Sequence, residues 1–253
     1  MAEQATRGGL DWLPERVLCV CAHPDDTEFG FAATVARLTA EGAEVTYVVV
    51  TDGSQGGEDP SVPDADLVAV RQAEQRAAAA VLGVREVRFL GLADGWLTAD
   101  VPLRRLIVRE IRRARPQLVL TQSPSRALVS GRIGVDHPDH LAVGEATLQA
   151  VYPDARNPRA FRDLLQEGLE PVRVEEVWIA APQGGDHLVD VSDFVDKKLE
   201  ALACHQSQIT KVGPARPAHP WSELEPSIRR RLAAQGEPAG YAAAEGFRRL
   251  VTR

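Results

Sequence analysis

Two short clusters hold side chains able to bind a metal and move protons, and they lie more than a hundred positions apart in this 253-residue chain. The first reads Ala22-His23-Pro24-Asp25-Asp26-Thr27-Glu28-Phe29-Gly30, the second Asp136-His137-Pro138-Asp139-His140. A lone carboxylate at a helix start can serve simply as a cap. Capping does not explain three histidines. A catalytic zinc ion takes three ligands from His and carboxylate and keeps one position for water, and His23, Asp26 and His140 can supply that set. Zinc is the expected ion, with another divalent metal such as Fe2+ also compatible. Water on such an ion ionises near pH 7, and a carboxylate not spent on the metal can accept the remaining proton. Asp25 is placed for that work. His137 is then expected to face the oxygen on which negative charge develops, with Asp139 orienting it or favouring its charged form.

The elements that would bring the clusters together are legible in the hydrophobic pattern. β-forming apolar runs recur at Val17 to Ala22, Val45 to Thr51, Val87 to Leu92, Leu118 to Thr121 and Val174 to Ala181, with helical patterns between most of them. Such alternation predicts an α/β fold: a Rossmann-like three-layer domain with a mostly parallel sheet. Phe31, Val35 and Leu38 predict a first crossover helix over about 29 to 41, Gly83 ends a second, and Pro102 opens a third with a stripe of Leu103, Leu106, Ile107 and Ile111. Both clusters follow predicted strands, and the carboxyl ends of strands are where such sheets place their function. From Gly213 to Gly240 prolines accumulate, which predicts a proline-rich C-terminal appendage over about 211–253 with one short helix around Ser227 to Ala234. The core would then cover about 15–210 of a single catalytic domain spanning 1–253. The appendage is placed to cover the site or to join copies of the chain in a homo-oligomer, and the sequence leaves both open.

Composition narrows the partners. With 44% hydrophobic residues the chain can build a core covered on both faces of a sheet. A net charge of -7 argues against a broad nucleic-acid-binding surface. No run approaches the length needed to span a bilayer, and the first dozen residues lack the basic start and apolar stretch of a secretion signal, so a cytoplasmic location is expected. The three cysteines are expected as reduced thiols, since Cys19 and Cys21 are strand neighbours pointing the same way.

The residues Ala22-His23-Pro24-Asp25-Asp26-Thr27-Glu28 and His137-Pro138-Asp139-His140 resemble the two motifs of the LmbE-like, or PIG-L, superfamily of metal-dependent N-deacetylases. Fainter resemblance lies in Thr51-Asp52-Gly53, Arg71 with Glu74, Asp94-Gly95, and Lys198 through His205 to Ser207-Gln208, so that about residues 15 to 210 are covered. The resemblance implies His23, Asp26 and His140 as metal ligands, Asp25 as base and His137 as the electrophilic or acid group. It also implies that Arg71 and Asp94 hold hydroxyls of a small amino-sugar substrate carrying an N-acetylglucosaminyl group. Some members of the superfamily carry a tyrosine two residues before the histidine matched by His137; this chain has Val135 there.

Rival chemistries read less well. A non-haem iron oxygenase also uses two histidines and a carboxylate, but places its carboxylate two residues after the first histidine rather than three, on a different scaffold. A serine hydrolase would need a Gly-x-Ser-x-Gly elbow, which the chain lacks. A non-catalytic sugar- or metal-binding protein has no use for a free Asp25, whereas a thiol-conjugate amidase would use the same residues on a different amide.

Overall fold

The computed structural model describes residues 8–126, 137–181, 185–209 and 221–252. Seven strands form one sheet: β1 (Arg16–Cys21), β2 (Glu44–Thr51), β3 (Glu86–Leu92), β4 (Leu118–Thr121), β5 (Glu176–Ala180), β6 (His187–Asp190) and β7 (Ala244–Val251). Their order is β3-β2-β1-β4-β5-β7-β6; the first five run parallel, and β7 lies antiparallel between β5 and β6. The helices are α1 (Asp26–Ala40), α2 (Asp64–Val81), α3 (Val101–Ala114), α4 (Pro138–Gln149), α5 (Asp163–Gln166), α6 (Val195–Ala203), α7 (Gln206–Ile209) and α8 (Trp221–Gly236). Strand alternation divides the core in two. Val17, Cys19 and Cys21 pack with α1, α2, α6 and α8 on one face, and Leu18, Val20 and Ala22 pack with α3 and α4 on the other. All three cysteines are free thiols, two of them buried in β1. Among the described residues no helix is long and apolar enough to cross a membrane.

Chain order reverses between β1 and β4, since β2 and β3 extend the sheet to one side of β1 and β4 and β5 to the other. A crevice opens at such a switch point because the two outgoing connections leave toward opposite faces. The turn after β1 is held there by its neighbours. The Ala22 carbonyl accepts bonds from the Thr51 amide (2.8 Å) and hydroxyl (2.9 Å), while the Ala22 amide donates to Gln122 Oε1 at 2.9 Å.

The segment read as an appendage contributes to the sheet itself. Residues 244–251 form β7, and α8 runs the full length Trp221–Gly236 where a short helix was expected. Residues 210–220, with His219 and most of the prolines, lie outside the described residues. β7 also reaches α1, the helix that the first motif opens. Helix α1 is broken at Phe31 (φ -149°, ψ 27°), leaving backbone groups of both halves without helical partners. Glu245 of β7 enters the break and accepts from the amides of Ala33 (3.3 Å) and Thr34 (2.7 Å), in the manner of a cap. Lys198 of α6 donates to Glu245 at 2.7 Å and to the Phe29 carbonyl at 3.1 Å. Both charged side chains are buried, at 0% and 2% exposure.

Removing one partner of a buried ion pair strands the other charge, at a cost of about 3 to 5 kcal/mol. Glu245→Ala is therefore expected to lower the urea midpoint by a corresponding amount with an unchanged slope. Adding Lys198→Met should restore part of the loss; a Glu245→Ala midpoint equal to the parent's would contradict the assignment.

Candidate active site

The crevice between β1 and β4 gathers both motifs. His23 leaves β1 on the Ala22 anchor, and Asp26 opens α1 with its Oδ2 accepting the His23 amide at 2.6 Å. Pro138 supplies the first turn of α4 without needing an amide partner, and His140 follows on that turn. The result is a compact donor set. His23 Nδ1 lies 3.2 Å from His140 Nε2 and 3.3 Å from Asp26 Oδ2, and His140 Nε2 lies 3.0 Å from Asp26 Oδ1. A tetrahedral ion with ligands at zinc-like distances has edges of about 3.3 Å. The three groups thus fit a divalent cation of that size, with two nitrogens and one oxygen suited to zinc or a neighbouring first-row metal.

The other nitrogen of His23 explains why this ring presents Nδ1. His23 Nε2 donates to Asp94 Oδ1 at 3.0 Å and to Asp139 Oδ2 at 3.2 Å. Asp139 is fully buried and also accepts from the amides of Gly95 (2.7 Å) and Leu97 (3.0 Å), while Asp94 accepts from the Gln55 amide at 3.1 Å. Carboxylates holding the far nitrogen of a ligating histidine fix its tautomer and raise its basicity. Without a cation, burial works against a charged His23, but Asp26, Asp139 and Asp94 outweigh it and push the ring up to about 12. Despite their burial, His140 and then His23 hold Asp26 below the usual carboxylate range, and the bond to His23 does the same for Asp94 and Asp139.

One expected pairing is corrected. The Asp139 carboxylate points inward to His23 and the β3 loop, not to His137. What joins Asp139 to His137 is its backbone, whose amide donates to His137 Nδ1 at 3.2 Å and makes that ring the N-cap of α4. Burial and the charge on His23 push His137 down, so the neutral ring prevails instead of the charged form expected. With Nδ1 accepting, the proton of the neutral ring sits on Nε2, leaving an exposed N–H donor. The His137 ring stands edge-on to His23 at 4.7 Å between centroids.

Asp25 lies outside the donor set. Burial pushes its carboxyl up to about 6, with Arg71 opposing from 3.6 Å. Arg71, expected at the substrate, is itself only 3% exposed and donates to the carbonyls of Gly53 and Pro24, both at 2.7 Å. A Cβ at Gly56 would sit 2.1 Å from its guanidinium, so a side chain there would have to displace Arg71. Asp94, the second residue expected at substrate hydroxyls, spends one oxygen on His23 and lies 3.9 Å from Arg71 through the other. Val135 falls outside the described residues. Residues not singled out from the sequence, Gln75 and Gln122, supply bonds to the motif backbone; Gln75 lies one turn beyond Arg71 on α2, a spacing that could have pointed to it.

Residues 18–151 match the family model described as PIG-L: GlcNAc-PI de-N-acetylase. The chain belongs to the PIG-L family. Among PIG-L relatives, the diacetylchitobiose deacetylase of Thermococcus kodakarensis is 33% identical over 92% of this chain and 82% of its own. A probable N-acetyl-alpha-D-glucosaminyl L-malate deacetylase 2 of Bacillus anthracis is 33% identical over 78% of this chain and 83% of its own. The solved structure of N,N'-diacetylchitobiose deacetylase from Pyrococcus horikoshii, in complex with its inhibitor MPG, superposes with a TM-score of 0.84 at 28% identity, covering 98% of this chain and 88% of that one. The matched range includes both clusters that the sheet brings together.

Two measurements test this arrangement. Asp139→Asn should weaken Zn2+ binding about 10- to 100-fold, as loss of a partner to a ligating histidine does; an unchanged affinity would return Asp139 to a role at His137. Because the cation-free His23 holds its second proton up to about 12, Zn2+ binding at pH 7 must expel a proton, and affinity should fall as pH is lowered. Titration calorimetry in buffers of different ionisation enthalpy should register that release, and its absence would show that His23 binds no metal.

Proposed function

We propose that this protein is a divalent-metal-dependent N-deacetylase, with zinc as the metal, that hydrolyses the acetamide of a small N-acetylglucosaminyl compound. The observation that carries the reading is the His23, Asp26 and His140 donor set with an uncommitted carboxylate, Asp25, beside it. The family and the named activities of the relatives support the same reaction class.

A divalent cation held by those three side chains supplies Lewis acidity, lowering the pKa of water toward about 7 and polarising the amide carbonyl. Asp25 accepts the proton of the attacking water at its carboxylate. His137 Nε2–H donates a hydrogen bond to the carbonyl oxygen as negative charge gathers there, a contact worth most in the transition state. Its Nδ1 already holds the Asp139 amide, so the donor is oriented before substrate arrives. The protonated Asp25 carboxyl then returns its proton to the departing nitrogen. The C–N bond breaks as the carbonyl re-forms, releasing the amine and acetic acid, whose remaining proton passes to the freed amine to give acetate and an ammonium group at neutral pH. Asp94 and Arg71 act from behind this line, on His23 and on the backbone beside Asp25.

The test is release of a free amine from a panel of N-acetylglucosaminyl compounds and thiol-conjugate amides by the zinc-loaded protein. Release only from thiol conjugates would favour the amidase chemistry, and release from neither would refute the proposal. Asp26→Ala should lose metal, whereas Asp25→Asn should keep it and lose a factor of roughly 10² to 10⁴ in turnover. Asp25 works only when ionised. Its carboxyl sits at about 6 without a cation, and a bound cation lowers it, so kcat/KM should decline as pH falls, with the acid limb at or below about pH 6. A limb well above that value would assign it to another group.

A further inference from the structure

The two neighbouring carboxylates have different tasks, and the backbone between them is the unusual feature. Asp25 has φ 95° and ψ -23°, in the left-handed region that residues with a Cβ rarely adopt. Something must hold it there. Both polar ends of the preceding peptide unit are gripped from one face of α2: Arg71 Nη2 donates to the Pro24 carbonyl at 2.7 Å, and Gln75 Oε1 accepts the Asp25 amide at 2.8 Å. Arg71 and Gln75 are four residues apart and so neighbours on that face. Rotation of this peptide unit would carry Asp25 out of the left-handed region, and it would break both bonds.

The Gln75 amide is in turn fixed the right way round. Its Nε2 donates to both oxygens of Glu28, at 3.1 and 3.0 Å, which leaves only Oε1 to face Asp25. Glu28 Oε2 also lies 3.2 Å from His205 Nε2, at the start of α7. Gln75 and Glu28 are completely buried and His205 is 1% exposed. The links from Gln75 to Glu28 and on to His205 Nε2 are all made, while His205 Nδ1, at the far end, has no partner among the described residues. An incomplete buried network is costly to keep, and no step of the hydrolysis uses its side chains.

We propose that Gln75, oriented by Glu28 and His205, is a positioning residue that keeps the Pro24–Asp25 peptide from turning and so holds Asp25 at the reacting water while Asp26 stays in the donor set. This inference rests on the proposed role of Asp25. Small displacements of a reacting group can cost about 10²-fold in rate. Zinc-loaded Gln75→Leu is expected to lose roughly 10- to 100-fold in kcat with KM changed less than about threefold, and to keep the parent's zinc content. Its crystal structure should show Asp25 at negative φ. Glu28→Gln, which still offers an oxygen to Gln75 Nε2, should retain most of the turnover that Glu28→Leu loses. If Gln75→Leu does not fold, Gln75→Asn, with the same groups on a shorter stem, takes its place. Parent-like kcat, loss of zinc together with activity, or an Asp25 that stays at positive φ in the variant would each overturn the proposal. A parent protein that cleaves no amide would instead refute the deacetylase reading, and the Asp25 backbone in the variant would still report on the peptide grip.

Discussion

The proton on His23 Nε2 is the interaction around which the site is organised. Asp94 and Asp139 both accept it, and so decide that Nδ1 is the nitrogen turned toward Asp26 and His140. Those two carboxylates come from the loop after β3 and the first turn of α4, while His23 itself follows β1. Three connections that leave the sheet at different places must therefore meet within hydrogen-bond distance. The order β3-β2-β1-β4 makes this geometrically available, because the crevice lies beside β1 and the long loop from β3 can cross over β2 to reach it.

Charge explains much of the rest. Asp25, Asp26, Asp94 and Asp139 crowd one small volume, and such a gathering is tolerable only when cationic groups share it. Arg71 serves two of the carboxylates and two backbone carbonyls at once. A charged His23 serves the other side in the cation-free state. The different surroundings then separate adjacent acids: contact with two imidazoles holds Asp26 ionised, while burial makes Asp25 a better proton acceptor than an ordinary surface carboxylate. Two identical side chains in sequence thereby acquire separate chemistry through placement alone.

Much of this is legible in the sequence because it rests on local signals. The five parallel strands announce themselves as continuous apolar runs, and the motifs fall where strand ends predict. What escapes is whatever depends on direction or distance. The spacing of His137, Asp139 and His140 gives their order on a helix turn, yet cannot tell that the Asp139 carboxylate turns inward while its amide turns to His137. Strand β7 carries two arginines, a glutamate, a glycine and one alanine among its eight residues, a weak β signal, and its antiparallel insertion depends on partners far away in the chain. Glu28 is visible within the first motif, but its tie to Gln75 and His205 joins segments 47 and 177 positions away, beyond any periodicity.

The contact of Glu245 with Thr34 spans 211 positions. During synthesis at 5 to 20 residues per second, the helix that begins with Asp26 would wait about 10 to 40 s for the side chain that fills its break. Through that interval the nascent chain carries its first motif, with three acidic residues within four positions, at the head of a helix whose break is unfilled. The continuity of α1 is thereby tied to the last strand of the sheet, and a ribosome that stalls before residue 245 leaves a product with both motifs translated and the break at Phe31 unfilled.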